Sequence, residues 1–255
     1  APDLLGWQGE MELDFSLSGP VSSPLVLGAV VGEPRFENSM GAVRDFGEVK
    51  AAFEASETGV VLAGLASEWP MPGVVIDAEL GWDGAVHRAS LRAEDQQFSE
   101  LWEVSTGSKR AFVDFRADAE VELSGHLAPL RLEGKADLAI ADLVVASGPV
   151  RETPALLSLP WANYLGRVVL EPDGVTLDAD QLRSLGLEGT VRGKVGWGQS
   201  AGLSLDLDIT RIDLSQVRPL VNLRLEGVGR VQGRIHGPYK HLKVDTVADV
   251  RDFGM

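Results

Sequence analysis

Leu223-Arg224-Leu225-Glu226-Gly227-Val228-Gly229-Arg230-Val231-Gln232-Gly233-Arg234-Ile235-His236 is the stretch on which the fold turns. Its odd positions are leucine, glycine, valine or isoleucine, and its even positions, Val228 apart, are polar or charged. Side chains of an extended strand point alternately to opposite faces, so this pattern gives one apolar and one polar face. The glycines fall on the apolar face, where they permit a sharp bend or leave space unfilled.

The same period runs outward from this stretch. Leu185, Leu187, Gly189, Val191, Gly193, Val195 and Trp197 alternate with Glu188, Thr190, Arg192 and Lys194. Leu203, Leu205, Leu207 and Ile209 alternate with Ser204, Asp206 and Asp208, and residues 117–127 and 11–17 behave alike. Turn chemistry separates the runs, at Glu171-Pro172-Asp173-Gly174 and across 196–202, so they read as hairpins. Helices are scarce: 213–220 allows about two turns, 97–104 is ambiguous, and 41–55 fits either pattern, with strand favoured from Val49 onward.

Repetition organises the chain. Leu130-Arg131-Leu132-Glu133-Gly134, Leu185-Gly186-Leu187-Glu188-Gly189 and Leu223-Arg224-Leu225-Glu226-Gly227 share one pattern. Gly19-Pro20 and Gly237-Pro238 each follow an alternating strand and restart the chain, echoed by Gly148-Pro149. Such units cannot bury their apolar faces alone and imply an array. The expected architecture is all-β: an elongated, mostly antiparallel sheet of repeated hairpin units, folded into a gutter-like groove or a flattened sandwich. Residues 1–100 and 101–255 form its N-terminal and C-terminal parts, with a joint expected near 95–112. The chain is expected to be a portion of a longer polypeptide.

Composition narrows the function. With 44% hydrophobic and 24% charged residues the chain is globular material. A net charge of −15 opposes nucleic-acid binding and docking on anionic headgroups. There is no cysteine, hence no disulfide or thiolate metal site.

Candidate chemistry is thin. Gly198-Gln199-Ser200-Ala201-Gly202, with Asp206 and His236 after it, matches a nucleophile elbow, but the following residues alternate as a strand where a helix is required. The pairs Asp178/Asp180 and Asp206/Asp208 suggest a calcium site, although period two puts both acids of each pair on a solvated face. His87, His126, His236 and His241 have no metal spacing, and the glycines of 227–233 lack the dinucleotide pattern. No enzyme, metal or cofactor is expected. Of the tryptophans, Trp7, Trp69, Trp82, Trp102 and Trp161 read as core residues, while Trp197 alone is in phase with an inner face.

Residues 203–209, the connector Ile212-Asp213-Leu214-Ser215, the glycine-rich 225–236 and the Gly237-Pro238 turn together resemble the AsmA-like/TamB group of bacterial envelope proteins. Leu17-Ser18-Gly19-Pro20 and Pro24-Leu25-Val26-Leu27-Gly28 look like the same turn and restart. The resemblance implies a long β-groove in the periplasm, in a parent protein anchored in the inner membrane. It implies that the groove shields phospholipid acyl chains in transit between the membranes. The alternative it implies is a translocation and assembly factor for outer-membrane proteins, working by β-strand pairing beside a barrel-assembly partner. A structural β-scaffold is the third reading. The expected groove lining is Leu185, Leu187, Val191, Val195, Trp197, Leu203, Leu205, Leu207, Leu223, Leu225, Val231 and Ile235.

Overall fold

The computed structural model describes residues 6–8, 10–20, 24–33, 35–37, 43–45, 47–67, 72–100, 103, 111, 113–146, 148–196, 202–215, 226–238, 241 and 243–254. The alternating runs are strands. β1 (Gly6–Gln8), β2 (Met11–Ser18), β3 (Leu25–Gly32), β4 (Arg35–Glu37), β5 (Val43–Asp45), β6 (Val49–Ala55), β7 (Gly59–Ser67) and β8 (Val74–Gly81) form the N-terminal part. β9 (Ala85–Gln97), β10 (Val113–Leu127), β11 (Leu130–Ala146) and β12 (Ala155–Glu171) are the longer central strands. β13 (Gly174–Ser184), β14 (Leu187–Gly196), β15 (Gly202–Asp213), β16 (Glu226–Gly237) and β17 (Lys243–Gly254) follow.

Fourteen of these make one antiparallel sheet, ordered from β2 and β3 through β6 to β17. From β7 on, each strand pairs with its sequence neighbours, while β6 pairs with β7 and β3. β1, β4 and β5 form a small sheet whose order repeats that of β2, β3 and β6, the strands they adjoin in sequence. The large sheet is not closed into a barrel, because β2 and β17 lie at opposite ends of its order.

Within 41–55, Val43–Asp45 form β5, the strand favoured from Val49 onward is β6, and 41, 42 and 46 lie outside the described residues. The 97–104 segment holds helical residues at 98–100 and 103, with Phe98 stacked on Phe115 at 4.8 Å between ring centroids. Pairing of β9 with β10 carries the sheet across the expected joint. Of 213–220, Asp213 ends β15, Leu214 and Ser215 form a turn after it, and 216–220 lie outside the described residues.

A compact protein of this size would expose about 10,900 Å². This chain exposes 16167 Å², and no large side chain among the described residues is fully buried. A sheet covered by a second layer would show neither property. The large sheet is thus a single, elongated, groove-like layer whose apolar face is bare at β2 and packed on itself at Val86, Val168 and Val191.

Two devices curl it. The first is glycine on the inner face: a Cβ added to Gly193 would collide with the Ser204 carbonyl of the next strand, and its φ of +140° is one that side chains avoid. The second is a line of β-bulges. Every odd-numbered strand from β7 to β17 has an irregular register in its second half. Odd strands all run the same way, so the bulges line one rim, where they increase twist and bend. Asp95, Asp142 and Asp252 sit there at φ of 49°, 53° and 56°, a conformation aspartate tolerates better than most residues. Arg116, on β10 between the first two, pairs with both, at 3.4 Å to Asp95 and 2.6 Å to Asp142.

Candidate functional site: the apolar trough

Cross-strand register shows how the strands combine into one surface. Starting in β2, Phe15, Gly28, Phe53, Leu62, Ala78, Ala89 and Leu123 partner one another in turn. The row continues through Gly134, Val168, Leu177, Gly193, Leu205 and Ile235 to Val244 in β17. It crosses all fourteen strands and contains only apolar residues and glycine. A parallel row runs from Leu17 through Val26, Ala55, Val60, Leu80 and Val86. Beyond Gly125 it continues as Leu132, Leu170, Val175, Val195 and Leu203.

The opposite face carries charge in the same ladder. Arg167, Asp178, Arg192, Asp206, Arg234 and Asp245 are successive partners from β12 to β17, alternating in sign. Arg192 reaches Asp178 at 2.6 Å and Arg234 reaches Asp206 at 3.5 Å. Nearer the strand tips Lys194 contacts Asp173 at 2.8 Å and Glu171 at 3.3 Å, and the Asp173 hydrogen bond raises its pKa. Arg116 is raised likewise, by its hydrogen bond to Asp142. These pairs are solvent-exposed and contribute little individually. Their effect is to fix which face is wet.

The predicted lining falls into three groups. Val191, Val195, Leu203, Leu205, Leu207, Val231 and Ile235 share the inner face: Val191 partners Leu207, Val195 partners Leu203, and Leu205 partners Ile235. Leu187 joins them at the start of β14, opposite Ile212. Leu185 does not lie on a strand. It forms a two-residue turn with Gly186, whose φ is +66°, so the alternation begins only at Leu187. Trp197, Leu223 and Leu225 lie outside the described residues.

Sequence reading missed the central part of the lining. Tyr164, Val168 and Ala179 belong with Ala136 and Val191 to one buried cluster. Its signal was the period-two run Ala162, Tyr164, Gly166, Val168, which apolar Trp161 and Leu165 on the opposite face obscured. Two of the tryptophans are not core residues. Trp161 is 40% exposed and Trp82 65%, the latter lying across a neighbouring turn with its Nε1–H donating to Ser56 O at 2.9 Å.

The candidate catalytic and metal groups disperse over the outer face. Asp206 pairs with Arg234, while His236 contacts Asp245 at 2.9 Å. Asp208 accepts a hydrogen bond from Gln232 at 3.3 Å. Ser200 lies outside the described residues, and Gly202 opens a strand. Among the described residues no three acids or histidines are grouped to hold a metal ion. An acid-rich depression, with Glu94, Asp95, Asp118, Glu120 and Asp137 around Arg92, is shallow and open.

Among the described residues the trough is thus a continuous apolar surface. What it can do is remove apolar matter from water, with about 0.8 kcal/mol gained per CH₂ buried. No protein-family model matches the chain, and no curated protein or solved structure matches it significantly.

Proposed function

We propose that this chain is a segment of a periplasmic, inner-membrane-anchored protein that shields lipid acyl chains as phospholipid moves between the two membranes. The observation that carries the reading is the unbroken apolar row from Phe15 to Val244, on one face of a single unclosed sheet. An alkyl chain lying across the strands meets an apolar side chain or glycine at every step and no charge. The resemblance of 203–238 to AsmA-like/TamB repeats points the same way and supplies the membrane setting.

Photo-crosslinking combined with native mass spectrometry tests it. Diazirine side chains are placed at Leu205 on the inner face and, separately, at Asp206 on the outer face. Co-purifying phospholipid captured from 205 and not from 206 supports the conduit. Capture at neither position overturns it, and strand pairing in outer-membrane protein assembly then becomes the better account. That account requires a proline placed in a terminal strand of this sheet, such as Val247→Pro in β17, to abolish capture of a partner strand by the 255-residue chain.

A further inference from the structure

At one place in the trough floor three small residues stand side by side. Ala136, Gly166 and Ala179 are successive partners across β11, β12 and β13. The row on one side is Gly134, Val168 and Leu177, and on the other Leu138, Tyr164 and Leu182. Three small residues flanked by Val168, Leu177, Leu138, Tyr164 and Leu182 should leave an open slot. Yet Ala136 is only 2% exposed and Ala179 1%.

Tyr164 fills the slot. It lies two residues before Gly166 on the same face of β12. Its hydroxyl donates to the Arg167 carbonyl at 2.7 Å, and the backbone of Asp178 hydrogen-bonds the same group. A side chain rooted at 164 and anchored at 167 must run along its own strand, over Gly166 and between the two alanines. Tyr164, Ala136 and Ala179 accordingly share the buried cluster, walled by Val168 and Val191. Gly166 cannot be larger, because a Cβ there would press on Ala179 Cα and Asp178.

We propose that Tyr164 is an internal plug, its ring occupying a slot that takes an alkyl segment when the ring swings out, so that bound chain and ring compete. That the competing ligand is a lipid acyl chain rests on the conduit reading; the slot and its plug do not. With the ring in place, the floor on the β10 side of the slot is separated from that on the β14 side. Passage along the trough then requires Tyr164 to release both hydrogen bonds.

The test uses the whole 255-residue chain with diazirine groups at Val168, beside the slot, and at Leu205 in β15, two strands beyond Ala179. Wild type should capture phospholipid at 205 and stay at background at 168. Tyr164→Ala should raise capture at 168 to the level at 205. Tyr164→Phe, which keeps the ring and the fold but loses the anchor, should fall between. Equal capture at 168 and 205 in wild type overturns the plug. So does capture at 205 with no gain at 168 in either variant. If 205 captures nothing in any form, the conduit reading fails, and binding of the apolar dye diphenylhexatriene decides the plug alone. Greater dye fluorescence in Tyr164→Ala than in wild type upholds it, and equal fluorescence overturns it.

Discussion

β2 and β14 carry the same alternation, yet one is bare and the other covered. In β2, Met11 is 71% exposed and Phe15 56%, whereas Val191 in β14 is 7% exposed. Both face the trough, and their rows are continuous. The difference lies in their neighbours. β14 has curved sheet on both sides, so side chains from β13 and β15 lean over it, while β2 pairs with β3 alone among the described residues. Period two in a sequence therefore fixes which face a side chain takes. How deeply it is buried depends on the strands beside it.

The sharpest way to break this contrast is a buried charge. Val191→Asp should cost about 4 kcal/mol or more, because a desolvated carboxylate finds no partner in the cluster. Leu13→Asp, the equivalent change at the edge, should cost about 1 kcal/mol or less. Urea unfolding of the two variants checks it, and equal losses would mean that burial in the trough is uniform.

Curvature comes next. Gly193→Val should cost about 2–3 kcal/mol, since it meets both the Ser204 carbonyl and an unfavourable backbone angle. Gly84→Val, at a turn with φ +86° and open space around it, meets only the backbone cost. Thermal midpoints of the pair separate close strand approach from conformational strain.

A smaller effect should appear at alkaline pH. Burial pushes the Tyr164 phenol above its usual value of about 10. The unfolded chain then ionises this group first, so the folded form loses stability as pH rises from about 10 through the raised folded value. Below that range the contribution is fully present. Unfolding at pH 9 and pH 11 should show a steeper loss for wild type than for Tyr164→Phe; parallel losses would place the phenol in solvent. Smallest of all, Arg192→Gln should change stability by about 0.5 kcal/mol and less in high salt, because its pair with Asp178 is exposed.

Much of the architecture was readable from residues. The hairpin at Pro172-Asp173 and the inner face of 203–209 needed only turn chemistry and alternation. The gutter could not be separated from a sandwich, because alternation in β15 is the same whether Leu205 meets a second sheet or an open channel. The bulges were invisible for another reason: an extra residue at Asp95 or Asp142 looks like noise in a period-two pattern until its partner strand is known. Tyr164 was missed because its part depends on Ala136 and Ala179, which are far from it in sequence and adjacent only through register.

The consecutive strand order makes the molecule a ruler. Strands in a sheet lie about 4.8 Å apart, so fourteen of them measure out a channel of roughly 60 Å, crosswise to the chain's own direction. Inserting one hairpin would lengthen it by about 10 Å and, being an even number of strands, would return the next strand to the same heading and the same wet and dry sides. Span can thus be changed in fixed increments by duplication, without redesigning any strand already present.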